Sequence, residues 1–209
     1  ANPDAPPRLV AAREEGVQYS ANDRGDQLYI LTNEGGAIDF KVVTAPLATP
    51  ERANWRDLIP YREGIYVLDV ELYAGHMVRL ERANALPAII IRDLKTGEEH
   101  AIAFDEAAYS LDTVGSYEFE TTNLRFSYSS MTTPAEVYDY DMATRARLLR
   151  KRQEIPSGHN PADYVTTRIM ATSHDGALVP VSILHRKDLV RDGLAPLLLY
   201  GYGSYGMAM

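Results

Sequence analysis

The 209-residue chain contains no cysteine. Disulfides, thiolate metal sites and a cysteine nucleophile are therefore excluded. No apolar run approaches the length of a membrane span, so no membrane partner is expected. Positive charge is in deficit: 21 Lys and Arg stand against 29 Asp and Glu, a net charge of −8. That balance argues against a nucleic-acid partner. The opening residues Ala1-Asn2-Pro3-Asp4-Ala5-Pro6-Pro7 lack a signal-peptide pattern. The five histidines, His76, His100, His159, His174 and His185, show no metal-ligand spacing, and no metal or cofactor is expected. No serine lies in a G-x-S-x-G elbow. Up to about residue 150 no sustained apolar stripe of helical period occurs.

What the chain has instead is β-strand chemistry. Runs at 27–32, 40–45, 65–72, 76–80, 88–92, 124–128 and 136–140 are rich in Val, Ile, Tyr and Phe. Turn clusters such as Asn22-Asp23-Arg24-Gly25-Asp26 and Asn33-Glu34-Gly35-Gly36 bound them. Residues 51–58 have room for one short helical turn. A repeat is also visible. Val43-Thr44-Ala45-Pro46-Leu47-Ala48-Thr49 aligns with Ile90-Ile91-Arg92-Asp93-Leu94-Lys95-Thr96 and with Tyr138-Asp139-Tyr140-Asp141-Met142-Ala143-Thr144. The spacings from Leu47 to Leu94 and on to Met142 are 47 and 48 residues. A period in the forties built of several short strands predicts propeller blades, here about three; an antiparallel sandwich is the competing architecture.

The pattern breaks at Glu154-Ile155-Pro156-Ser157-Gly158-His159-Asn160-Pro161-Ala162-Asp163, which reads as a linker. Strand-like runs at 164–171 and 178–185 flank the turn Ser173-His174-Asp175-Gly176, a hairpin pattern. A polar loop over 186–194 leads to a predicted strand at 196–200. Its Leu197-Leu198-Leu199 core lacks alternation, as in a strand buried on both faces of an α/β sheet. The expected division is a partial propeller over 1–152, a linker over 153–163 and the opening strands of a second domain over 164–209.

The chain closes on Tyr200-Gly201-Tyr202-Gly203-Ser204-Tyr205-Gly206. Gly201-x-Gly203-x-x-Gly206 formally matches the dinucleotide-binding fingerprint, which requires a following helix and a downstream acid. The bulky Tyr202 and Tyr205 suit that reading poorly, and a packed Gly/Tyr turn is equally open. His174-Asp175 has the residue types of a catalytic pair but sits where a hairpin turn needs Asp and Gly. The Tyr-rich strands suit sheet packing better than base stacking in so acidic a chain.

From Pro196 to Gly206 the sequence resembles the prolyl oligopeptidase family of serine peptidases, in particular its oligopeptidase B branch, also called protease II. The likeness extends to Tyr29-Ile30-Leu31-Thr32-Asn33, Arg125-Phe126-Ser127-Tyr128-Ser129-Ser130, Tyr138-Asp139-Tyr140-Asp141, Asp175-Gly176 and Val179-Pro180-Val181-Ser182. The resemblance implies about three blades of a seven-bladed β-propeller followed by the first strands of an α/β-hydrolase domain. It further implies a cytoplasmic serine endopeptidase acting on short peptides after Arg or Lys, with the propeller restricting substrate size. The Ser, Asp and His of the triad would lie downstream, outside this chain. Within it, Tyr202 would donate its hydroxyl to the oxyanion and Tyr205 would line the substrate pocket. Ser204 and Tyr205 stand where prolyl oligopeptidases proper tend to have Gly and Phe, which favours the oligopeptidase B branch.

The chain is thus expected to be a fragment, inactive alone. As an open arc with unpaired strand edges it is expected to self-associate. Two competing functions remain: a non-catalytic propeller binding module, which has no use for residues 160–209, and a dinucleotide-binding oxidoreductase.

Overall fold

The structure, a computed structural model, describes residues 6–205. Gly206, the last glycine of the fingerprint, lies outside the described residues, as do residues 1–5 and 207–209. Three four-stranded antiparallel sheets follow one another along the chain. The first contains β1 (Tyr19–Arg24), β2 (Gln27–Thr32), β3 (Lys41–Pro46) and β4 (Arg56–Ile59). The second contains β5 (Ile65–Leu72), β6 (His76–Ala83), β7 (Leu86–Asp93) and β8 (Glu99–Ala101). The third contains β9 (Tyr109–Val114), β10 (Asn123–Ser130), β11 (Glu136–Asp141) and β12 (Arg147–Arg152). Each sheet is an up-and-down meander in chain order, which is the blade of a propeller. Residues 51–58 hold the expected helical turn, a single 3₁₀ turn at Arg52–Asn54.

The sequence repeat has a structural cause. Leu47, Leu94 and Met142 each begin the turn between the third and fourth strands of a blade. Each donates its backbone N–H to the turn between the first and second strands: Leu47 to the Asp26 carbonyl at 2.7 Å, Leu94 to Gly75 at 2.9 Å and Met142 to Thr122 at 2.8 Å. In blades 2 and 3 the preceding aspartate closes the turn. Asp93 Oδ1 accepts the N–H groups of Lys95 and Thr96, and Asp141 Oδ1 those of Ala143 and Thr144. These bonds hold both carboxyls below the usual range, the Thr96 and Thr144 amides contributing most. Blade 1 has Pro46 at this place and no such cap.

The strands the sequence revealed are chiefly the middle ones of each blade. β2 and β3 bury both faces. Tyr29, Leu31 and Val42 meet Val67, Val70 and Met77 of blade 2, while Leu28, Ile30, Val43 and Ala45 pack under Trp55 and Ala11. Between blades 2 and 3, Val78, Ile89 and Ile91 meet Leu111, Leu124, Phe126 and Tyr128. Phe126, Ile89 and Ile91 are fully buried, each contributing about 1.5–3 kcal/mol by its removal from water. Polar ties reinforce the stack: Asn22 Nδ2 donates to the Val70 carbonyl at 3.0 Å, and Ala74 N–H to the Phe119 carbonyl at 2.9 Å.

One charged network lies inside blade 2. Arg79 has no exposed surface. Its Nη1 and Nη2 donate to the two Glu99 oxygens at 2.9 Å each, and its Nε donates to Glu81 Oε1 at 2.8 Å. Burial opposes the charge on Arg79, but the hydrogen bonds to Glu99 and Glu81 outweigh it and raise its pKa. Arg62, on the connection from blade 1, also pairs with Glu81.

After β12 the chain crosses to a 3₁₀ turn at Pro161–Asp163 and a hairpin of β13 (Tyr164–Thr172) and β14 (Leu178–Arg186), paired without a bulge over all nine positions. The predicted strand at 196–200 is not formed. These residues have no ladder partner among the described residues, and Leu197, Leu198 and Leu199 are 85, 88 and 82 % exposed. Apolar, β-prone residues do not make a strand without a neighbour to receive their N–H and C=O groups.

Candidate active-site segment

The path from the blades to the Gly/Tyr segment begins at a carboxylate in the connection between β8 and β9. Glu106 accepts hydrogen bonds from the hydroxyls of Tyr128 (2.8 Å), Thr132 (2.9 Å) and Thr133 (2.5 Å). Burial works against its charge, yet the bonds from Ser130, Thr133, Tyr128 and Thr132 hold its pKa below the ordinary value. Conversely, burial and then the Glu106 bond push the Tyr128 hydroxyl upward. Ser130 Oγ accepts the N–H groups of Thr132 and Thr133, so the β10–β11 turn is held from both sides. His159 of the linker donates through Nε2 to the Thr132 carbonyl at 2.6 Å, and its ring stacks on Tyr164 at 5.8 Å. Blade 3 thereby fixes the root of the hairpin.

The hairpin turn answers the question about His174-Asp175. Asp175 Oδ1 accepts the Ala177 N–H at 3.0 Å, which lowers its pKa, and Gly176 supplies the left-handed position at φ 86°. The carboxylate is engaged in turn formation. His174 Nδ1 lies 3.3 Å from Ser173 Oγ.

Beyond the hairpin, residues 187–205 run as an exposed segment that lies against both hairpin strands. A hollow of about 690 Å³ between them is lined in part by Ile169, Ile183, Leu189 and Leu197. Tyr202 and Tyr205 lie on this segment three residues apart. Tyr202 is 46 % exposed and Tyr205 94 %. Neither hydroxyl has a hydrogen-bond partner among the described residues. Tyr205 sits at φ 57°, the left-handed region that a non-glycine residue adopts at a cost of roughly 1–2 kcal/mol. A Cβ on Gly201 or Gly203 would meet nothing within 4 Å. No regular strand enters this segment, so the geometry of the dinucleotide fingerprint is not built.

Two features escaped the sequence reading. Between blades 2 and 3 lies a groove of about 680 Å³ whose walls, from β5, β6, the start of β7 and β9, include Asp69, Glu71 and Asp112 together with Arg82. Asp69 and Glu71 lie on the strand read at 65–72, but Asp112 lies on β9, a half-exposed strand without a clean apolar alternation, so the sequence did not bring the three carboxylates together. Glu106 was also missed, because its partners come from β10 and the turn that follows it, 22 to 27 residues further along.

Among the described residues no helix is long and apolar enough to cross a membrane. The family model described as prolyl oligopeptidase, N-terminal beta-propeller domain, matches residues 1–153. The chain is 42 % identical over 203 residues to a dipeptidyl aminopeptidase BI of Pseudoxanthomonas mexicana, covering 96 % of this chain and 28 % of that protein. It is 27 % identical over 206 residues to protease 2 of Moraxella lacunata, covering 98 % and 29 %. Its fold is similar to that of oligopeptidase B from Trypanosoma brucei with covalently bound antipain, in a closed form. There the TM-score is 0.87 at 31 % identity, with 95 % of this chain and 29 % of that one covered. The chain thus spans under a third of the length of these relatives. With three consecutive blades matched by that model over well more than half its length, the chain belongs to the prolyl oligopeptidase family.

Proposed function

We propose that this chain is part of a cytoplasmic serine endopeptidase of oligopeptidase B type that cleaves short peptides after Arg or Lys. Residues 1–152 are blades of a seven-bladed propeller that limits substrate size, 153–163 are the linker, and 164–209 open the α/β-hydrolase domain. The observation that carries this reading is the Tyr-Gly-Tyr-Gly segment delivered directly after three blades and a hairpin, in a chain of this family. Leu197-Leu198-Leu199, apolar on every face, is suited to a strand that completes an α/β sheet. Glycines at 201 and 203, which no local crowding or left-handed backbone demands, are suited to close approach of a substrate. Tyr202 donates to the oxyanion formed when a serine attacks the peptide carbonyl, and Tyr205 forms a wall of the pocket before the scissile bond. The groove between blades 2 and 3, where Asp69, Glu71 and Asp112 outnumber the single cation Arg82, supports a preference for cationic peptides.

A second reading, removal of dipeptides from a free N-terminus, is favoured by the 42 % identity to a dipeptidyl aminopeptidase. The two differ in one chemical demand: the aminopeptidase needs a free α-amine two residues before the cleaved bond. The intact protein is assayed on N-blocked and N-free Arg, Lys and Pro substrates, and on a denatured protein. Cleavage of blocked Arg and Lys peptides, with no attack on the large substrate, supports the endopeptidase. Strict dependence on a free amine establishes the aminopeptidase instead, and failure of a fluorophosphonate to label the enzyme overturns both.

A further inference from the structure

The outer edge of blade 3 differs from those of the other two. β12 is six residues long and exposed throughout, whereas the corresponding edge strands β4 and β8 have four and three residues. Its sequence, Arg147-Leu148-Leu149-Arg150-Lys151-Arg152, follows Arg145 in the turn. Five of the chain's 21 cationic residues thus fall within eight positions that contain no acid, in a protein of net charge −8.

The fold neutralises this edge only in part. Arg150 pairs with Asp139 at 3.2 Å, but Asp139 is shared with Arg125. Arg152 pairs with the buried Glu136. Arg147 lies over the rings of Phe104 and Tyr138 at 5.2 and 5.4 Å. Lys151 has neither an ion pair nor a side-chain hydrogen bond among the described residues. The register places Arg147 and Arg152 opposite Tyr140 and Glu136, and Lys151 opposite Val137 on the other face, with Arg150 at the bulge. A strand laid along β12 would therefore meet cations on both of its faces. Leu148, 56 % exposed, and Leu149, 39 % exposed, lie between them.

Charges on an edge strand ordinarily discourage pairing with other strands. A uniformly cationic edge discourages only its like. Two β12 edges brought together would oppose their own cations, so a second copy is disfavoured here. An acidic segment would gain charge pairs as well as main-chain hydrogen bonds. We propose that the β12 edge is a docking site for a Glu- or Asp-rich extended polypeptide segment of another protein, which adds to blade 3 as a fifth strand.

The test uses the intact protein and a blocked decapeptide of Glu and Val in equal number, measured by fluorescence anisotropy at low and high salt. Two controls accompany it: the same peptide with Gln for Glu, and the same peptide N-methylated at alternate amides. Binding of the Glu peptide is expected, weakened by salt. Lys151→Glu, on an exposed side chain, should weaken it roughly fivefold or more, with hydrogen-exchange protection of β10 and β11 unchanged. The Gln and N-methylated peptides should bind at least about tenfold more weakly. Equal binding of the N-methylated peptide, or displacement by heparin together with indifference to N-methylation, would mean a general polyanion surface and overturn strand addition. Binding unaffected by Lys151→Glu would place the peptide elsewhere and overturn the site.

Discussion

Replacing Arg79 by Met puts the charged network of blade 2 to a quantitative test. The side chain has no exposed surface and makes three hydrogen bonds of 2.8–2.9 Å to Glu81 and Glu99. Met keeps most of the volume, so the cavity term is small. The loss is chiefly electrostatic, because the Glu81 side chain, 6 % exposed, loses Arg79 and retains its pair with Arg62. Removing one partner of a buried pair costs about 3–5 kcal/mol, and the remaining Arg62 contact places the expectation near about 3 kcal/mol. The pH dependence supplies an independent check. Hydrogen bonds from Arg79, and to a lesser degree from Arg92, hold the Glu99 carboxyl down to about 2 against a normal 4.5, with burial opposing them. A shift of that size corresponds to about 3 kcal/mol, but Glu99 is partly exposed and solvent screening reduces it to about 1–2 kcal/mol. Since the folded pKa is the lower one, this stabilisation is present above about pH 4.5 and declines as the pH falls towards 2. The penalty of Arg79→Met should therefore be smaller at pH 3 than at pH 7, by about 1 kcal/mol. Hydrogen exchange of the β6 and β7 amides in the intact protein reads both values, after correction for intrinsic exchange. Adding Glu81→Leu to the variant should restore much of the loss, since a dry apolar replacement removes the unpaired charge. A penalty below about 1 kcal/mol at pH 7, or one equal at both pH values, would refute this account.

Ala85 and Asn84 form the β6–β7 turn at φ 58° and 50°, where glycine suits a two-residue hairpin better than alanine. Ala85→Gly should stabilise blade 2 by about 0.5–1 kcal/mol by denaturant titration, and a loss would mean the turn is not strained. His100, whose Nε2 lies 3.1 Å from the Tyr140 hydroxyl, has a pKa lowered by burial, then by Arg145 and His76. Its neutral form is the folded one, so the seam between blades 2 and 3 should lose stability as the pH falls below about 6.5, and His100→Gln should flatten that limb in melting curves. Glu106→Gln should weaken the hold on the β10–β11 turn and raise hydrogen exchange at the root of β13, where unchanged protection would show that the Thr132–His159 link does not anchor the hairpin. Under the proposed function, Tyr202→Phe should lower acylation by on the order of 10²–10³ with little change in binding, whereas Tyr205→Ala should chiefly raise KM. Near-normal turnover of Tyr202→Phe with acylation rate-limiting would remove Tyr202 from the oxyanion site.

The sequence by itself determined the blade. Its middle strands carry the Val, Ile, Tyr and Phe that two-sided burial requires. The Leu47, Leu94 and Met142 repeat is legible because each copy performs the same local act, sending an N–H to the neighbouring turn. The hairpin was equally plain, since alternation and an Asp-Gly turn are local signals. Most inner and outer strands were not, β5 at 65–72 excepted. β1, β9 and β12 are half or wholly exposed, and an exposed strand needs no apolar period; it exists because a neighbour offers hydrogen bonds. The tertiary structure alone decided that Arg79 lies buried between two glutamates, that Glu106 gathers three hydroxyls from β10 and the turn after it, and that β12 sets its cations along an open edge. It also decided that Leu197-Leu198-Leu199, strand-like in composition, stays unpaired among the described residues. Residue types set the capacity to form a strand, but a ladder requires a second chain segment at hydrogen-bonding distance, and only three-dimensional packing supplies one.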